Sequence, residues 1–218
     1  FGPDPKDWIV PSLPEGWRLV SFHFFVNWES FPPVVADRIW MTRQLRFDSD
    51  INLARVDDSA ISDIFNQSCT GQEFDDLNLI FSPCGHKITT VLLPEIPLSA
   101  ISDETPVWIV AKSDELNNRV HKVTVSGVKS AIQNHSGGPV WVGDKGLTYG
   151  TSAVECYLSK SDAAFPGDVD AVIVDNKNQV RFIVEYKKHN LQTPLGEHLI
   201  TQYYPRPDGR KYQRLAAL

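Results

Sequence analysis

Cysteine is scarce: only Cys69, Cys84 and Cys156 occur in 218 residues, an odd number at irregular spacing. That excludes a disulfide framework and favours reduced thiols in an intracellular protein, nuclear or cytoplasmic. Cys84-Gly85-His86 has no second ligand pair at zinc-finger spacing. No apolar run approaches the roughly 18 residues of a transmembrane helix, which excludes one. A basic-then-apolar leader is also missing. The sequence starts at Phe1 without Met and stops on Leu-Ala-Ala-Leu inside a helical pattern, as a trimmed or partial chain would. There is no internal repeat and no Gly-rich phosphate loop, since Gly143-Asp144-Lys145-Gly146 lacks the surrounding pattern. A Ser/His/Asp nucleophile motif is absent as well.

What is present is apolar material: 42% of residues are hydrophobic and 11% aromatic. That suffices for one large domain, or a medium one with a smaller companion. The net charge of −6 argues at first against a nucleic-acid partner. The charge is unevenly spread, however. Arg181, Lys187, Lys188, Arg206, Arg210, Lys211 and Arg214 face only Glu185, Glu197 and Asp208, so the tail from Arg181 carries 7 − 3 = +4 and the rest −6 − 4 = −10. Because fields are screened beyond about 10 Å at 0.1 M salt, a local basic patch attracts phosphate even on an acidic protein.

Patterning divides the chain into an N-terminal α+β region, 1–115, and a C-terminal core, 116–218. In the first, Phe1–Gly16 reads as an extended arm and Trp17–Trp28 as a buried strand. Val34–Leu45 reads as a helix, and Ser59–Phe65 as a second. Leu77–Phe81 and Lys87–Leu93 read as paired strands around Ser82–His86, and Val107–Ala111 as another strand. Trp17, Trp28, Trp40 and Trp108 are candidates for its core. No catalytic constellation is apparent there, so the region reads as a substrate platform or a partner contact. His86 and His121 read as ordinary polar histidines. In the core region a helix covers Val125–Asn134 and ends at Ser136-Gly137-Gly138-Pro139. Strands follow at Ser152–Leu158, Val169–Val174 and Val180–Tyr186, and Asp208 caps a helix over Gly209–Leu218.

Asp168–Asp175 and Arg181–Lys187 flank Asn176-Lys177-Asn178-Gln179, a composition suited to a four-residue hairpin loop. Such a loop pairs Asp175 with Val180. Ile173 then faces Phe182 and Ala171 faces Val184 on one side, and Val172 faces Ile183 on the other. The period of two carries Asp168, Asp170, Glu185 and Lys187 onto that second face, Asp170 opposite Glu185. Opposed Cβ atoms lie about 4.5–5.5 Å apart. Two carboxylates so close repel each other and need a proton, water, a cation or a bound metal. Oxygen ligands suit Mg²⁺ or Mn²⁺, and a lysine beside them completes the groups for metal-assisted phosphodiester hydrolysis.

Pro166-Gly167-Asp168-Val169-Asp170 followed by Glu185-Tyr186-Lys187 resembles the PD-(D/E)xK nuclease superfamily, over roughly Val125–Leu218. That group includes restriction endonucleases, junction resolvases, RecB-type exonucleases and some RNA 5′-end-processing enzymes. The resemblance implies a mixed α/β sheet flanked by helices, the restriction-endonuclease-like core. It implies that Asp170 and Glu185 bind metal with the Tyr186 carbonyl, and that Lys187 serves the attacking water and the charge of the transition state. Glu155, on the strand expected at Ser152–Leu158, is the upstream acid that it would add. Asp168 competes with Asp170 for the first-aspartate role; opposition to Glu185 favours Asp170, leaving Asp168 as an auxiliary ligand or partner of Lys187. A fainter similarity, acid-apolar-acid then Glu-apolar-Lys, is to the decapping exoribonucleases.

Lys188, Arg206, Arg210, Lys211 and Arg214 are candidates to hold a phosphate backbone, independently of base sequence. Arg210, Lys211 and Arg214 share one side of a helix. Tyr203, Tyr204 and Tyr212 are candidates to stack on bases. Two readings result. One is a metal-dependent nuclease acting on DNA or RNA. The other is a catalytically inactive module of the same fold, binding nucleic acid or protein within a larger assembly.

Overall fold

The computed structural model describes residues 6–27, 29–30, 34–47, 51–67, 69–111, 119–140, 152–163, 166–186 and 215. The protein is α/β, with flanking helices and a seven-stranded mixed sheet in the order β5-β4-β3-β2-β1-β6-β7. The strands are β1 (Arg18–Asn27), β2 (Val34–Leu45), β3 (Lys87–Pro94), β4 (Pro106–Ala111), β5 (Arg119–Thr124), β6 (Gly167–Val174) and β7 (Val180–Val184). The helices are α1 (Lys6–Ile9), α2 (Asp58–Gln67), α3 (Cys69–Phe81), α4 (Val125–Ser136) and α5 (Ala153–Leu158). Chain contacts divide it into two compact units, Phe1–Ser21 with Val169–Leu218, and Phe22–Asp168. No described helix is long and apolar enough to cross a membrane.

In the Phe22–Asp168 unit, β2 and β3 run parallel, while β1–β2, β3–β4 and β4–β5 are antiparallel. The β4–β5 ladder, from Pro106↔Thr124 to Ala111↔Arg119, ties residues on both sides of position 115 into one unit. Helices α4 and α5 give Val125, Val128, Ile132, Val154 and Leu158 to a core shared with Phe25, Trp40, Val91, Leu93 and Val107. Ring contacts fix its centre, with Phe25 and Trp40 edge-to-face at 4.8 Å. Helix α3 brings Phe81 against Phe22 at 4.8 Å, and Phe74 against Phe65 of α2 at 5.5 Å. Trp108 is fully buried, Trp40 nearly so and Trp17 half-buried.

Within this unit three elements differ from the sequence expectation. Val34–Leu45 is a strand, not a helix. Placed inside the sheet, β2 buries Ile39, Trp40 and Met41 consecutively, so the alternation that marks a half-exposed strand is lost. Leu77–Phe81 ends helix α3 instead of forming a strand; Phe74, Leu77 and Phe81, spaced i, i+3, i+7, form its buried side, and Ser82-Pro83 closes it. Ser152–Leu158 is likewise helical. The Ser152 hydroxyl accepts from the Glu155 N–H at 3.1 Å, an N-cap with Glu at N3, the pattern of a capping box.

In the other unit, residues 6–16 are not an extended arm. Helix α1 and a 3-10 turn, Val10–Ser12, occupy it, and the Lys6 ammonium donates to Ser21 Oγ at 2.9 Å. Of the helix expected over Gly209–Leu218, Leu215 is helical and buried, and the remainder lies outside the described residues.

Candidate functional site

Hairpin β6–β7 forms around Asp175. Its Oδ1 accepts the N–H groups of Lys177 and Gln179 at 2.8 and 2.9 Å, and its Oδ2 takes the Arg181 guanidinium at 2.8 Å. These donors hold the Asp175 carboxyl below its ordinary value, the Gln179 N–H contributing most; burial opposes them. Asn178 adopts the left-handed conformation, φ 61°, and the Arg18 guanidinium donates to its side-chain oxygen. Asn tolerates that region better than most residues do. The Asp175 N–H donates to Gln179 O at 3.0 Å, so the loop closes over three residues, not the four expected. The difference is a bulge: Val174 pairs Val180, and the register shifts between Ile173 and Val174.

Beyond the bulge the ladder follows the expected register, with Ala171↔Val184, Val172↔Ile183 and Ile173↔Phe182. Val169, Ala171, Val172 and Val174 are buried, which fixes β6 along its length. Asp170 lies half-buried between them and Glu185 follows the last residue of β7. The backbone N–H of Tyr186 donates to Asp170 Oδ2 at 2.6 Å, a short charge-assisted bond. It ties the end of β7 to the first candidate metal ligand, with Glu185 adjacent in the chain. By contrast, three apolar residues of β7 are exposed: Phe182 by 59%, Val180 by 43% and Ile183 by 41%.

The two further acids belong to the Phe22–Asp168 unit. Asp168 is exposed at the start of β6. Its neighbour Gly167 is required by packing, since a Cβ there would come within 2.9 Å of the Phe24 ring. Glu155 is buried on α5, its Oε1 4.0 Å from His23 Nε2. The other ring nitrogen, Nδ1, is 3.5 Å from the Thr42 hydroxyl. Burial pushes the His23 imidazole down, against the opposing pull of Glu155 and Asp168. Nothing in the sequence near His23 marks it, because its partners are distant in the chain.

Lys187, Lys188, Arg206, Arg210, Lys211 and Arg214 lie outside the described residues, as do Tyr203, Tyr204 and Tyr212. Among the described residues no group of three or more His, Cys, Asp or Glu is arranged to hold a metal ion. The Asp170 carboxylate is an oxygen donor of the type that Mg²⁺ and Mn²⁺ take. Mg²⁺ dehydrates reluctantly, keeps several waters, and is commonly held by one or two carboxylates and the substrate's phosphates. Among the described residues no disulfide is formed by Cys84, which is exposed, or by Cys156, which is buried.

Comparison with family models, curated proteins and solved structures gives no match to this chain.

Proposed function

We propose that this chain hydrolyses phosphodiester bonds of nucleic acid with a divalent cation, through a PD-(D/E)xK-type site on a restriction-endonuclease-like core. One observation carries the reading: the β6–β7 register, with the Tyr186 N–H on Asp170, sets Asp170 beside the Glu185-Tyr186 step that the motif requires. In this reading Asp170, Glu185 and the Tyr186 carbonyl hold Mg²⁺ or Mn²⁺. Such an ion polarises the phosphoryl oxygen and acidifies the attacking water. Lys187 positions that water and offsets charge developing on the phosphate. Lys188, Arg206, Arg210, Lys211 and Arg214 bind the backbone, in keeping with the +4 charge of the tail. Glu155 and Asp168 enter as auxiliary acids on the resemblance alone.

The competing reading is an inactive module of the same fold that binds nucleic acid or protein. The acidic balance of the first 180 residues, −10, favours it. Thermal unfolding with and without Mn²⁺ separates the two, because a ligand that binds the native state stabilises it by about 2.7 kcal/mol at 100 times its Kd. A Mn²⁺-dependent rise in melting temperature, lost in Asp170→Ala and Glu185→Ala, is the expected result. A folded wild type with no rise at any Mn²⁺ concentration contradicts the metal site.

A further inference from the structure

Among the described strands β7 is last in the sheet, and no described strand pairs its outer side. An edge strand turns alternate N–H and C=O groups outward, where another strand can take them. Exposed edges are ordinarily guarded by charge or proline. Strand β5, at the other end of the order, follows that rule, with Arg119 and Lys122 both exposed. Strand β7 has neither lysine nor proline, and Val180, Phe182 and Ile183 are exposed along it. The bulge lies at the loop end, opposite Ile173 and Val174, and leaves Phe182, Ile183 and Val184 regularly paired to β6. Arg181, which also bonds Asp175 of its own hairpin, precedes that apolar stretch, and Glu185 follows it. The order Arg-Phe-Ile-Val-Glu is complementary to itself when read antiparallel. Centred on Ile183, it sets Phe182 against Val184, Ile183 against Ile183 and, at each end, Arg181 against Glu185. Apolar side chains then meet apolar ones and unlike charges meet, the pairings that stabilise adjacent strands. All five residues belong to one compact unit of the chain.

We propose that two copies of this chain associate through the β7 edge, their strands pairing antiparallel about a twofold axis at Ile183. Such a contact is isologous, the same patch serving both copies. It is also small, in the class of weak and transient interfaces, so its Kd is expected on the order of 10 μM. The proposal is independent of the nuclease reading. The test is sedimentation velocity from about 1 to 300 μM chain, on wild type, Ile183→Lys, Ile183→Glu and an equimolar mixture of the two variants. Melting temperatures check that each variant is folded, as expected for a position 41% exposed. Wild type is expected to approach twice the chain's mass as its concentration rises. Each variant alone sets like charges against each other at the axis, and is expected to weaken the dimer by at least about 10-fold in Kd. The mixture sets Lys against Glu and is expected to restore it. Wild type that stays monomeric throughout overturns the proposal and leaves the edge to a strand of another protein. A dimer undiminished in both variants places the contact elsewhere and overturns it too. So does a mixture that associates no better than its components. Should the charged variants not fold, Phe182→Thr decides: a folded variant with the wild-type dimer Kd overturns the proposal.

Discussion

Asp170 and Asp175, five positions apart at the two ends of one hairpin, do different work. Asp175 accepts two backbone N–H groups and one guanidinium, and so builds the turn. Asp170 accepts the Tyr186 N–H and so joins the strand ends where the chemistry is proposed. The distinction yields a pH-dependent expectation. The folded state holds the Asp175 carboxyl below its ordinary 3.8, so the stability it contributes is present above that value. That contribution is lost as the pH falls through the lower, folded-state value. Asp175→Asn should melt at a lower temperature than wild type at pH 7, with the gap closing as the pH drops below 3.8; a gap constant across that range would contradict this role for the carboxylate. The hairpin could be read from spacing because its strands are joined by a short turn. His23 could not, since Glu155 and Asp168 lie more than a hundred positions away and no local pattern points to them.

At the scale of elements, legibility depended on how many faces each element buries. Helix α4 was readable because Val125, Val128 and Ile132 recur on one side and its ends are marked, by Thr124 accepting from the Gly127 N–H and by Gly137 in the left-handed conformation. Strand β2 was not, because burial on both faces erased its period and left an apolar cluster that also suits a helix. For α5 the signal was present as Ser152-Ala153-Val154-Glu155, but Ala153–Leu158 is short and its apolar residues also fit a strand. Strand β5, Arg119–Thr124, had too few buried residues to stand out. The α4 terminus offers a sharp test. Gly137 has φ 78°, and a Cβ there would lie 2.3 Å from Asn27 Oδ1. Gly137→Ala should cost about 1–3 kcal/mol in urea unfolding, from backbone strain and the clash together. Gly85→Ala is the control, since its φ of 89° carries the backbone strain but a Cβ there meets nothing within 4 Å. Equal losses at the two positions would show that the Asn27 contact contributes nothing.

Across the whole molecule, the α/β class and the mixed sheet agree with the sequence pattern, and the sheet has seven strands. Which residues form a compact unit was harder to read. The β4–β5 ladder spans position 115, and the N-terminal segment groups with the C-terminal one. Such pairings between distant segments leave no trace in local periodicity. Charge was legible at this scale: an acidic chain carries its basic surplus in the tail that begins on β7, the same stretch that supplies Glu185 and Lys187. That coincidence of opposite sign with candidate metal ligands is what a phosphate-handling site calls for.

The most direct test is cleavage. Purified chain is incubated with labelled single- and double-stranded DNA and RNA in Mn²⁺, Mg²⁺ or EDTA, beside Asp170→Ala and Lys187→Ala. The account expects cleavage that requires the metal and falls by at least about 10²-fold in both variants, the scale of losing a positioned group that acts on the transition state. Folded wild type that cuts none of the substrates in either metal, or cleavage that persists undiminished in Asp170→Ala, would contradict it.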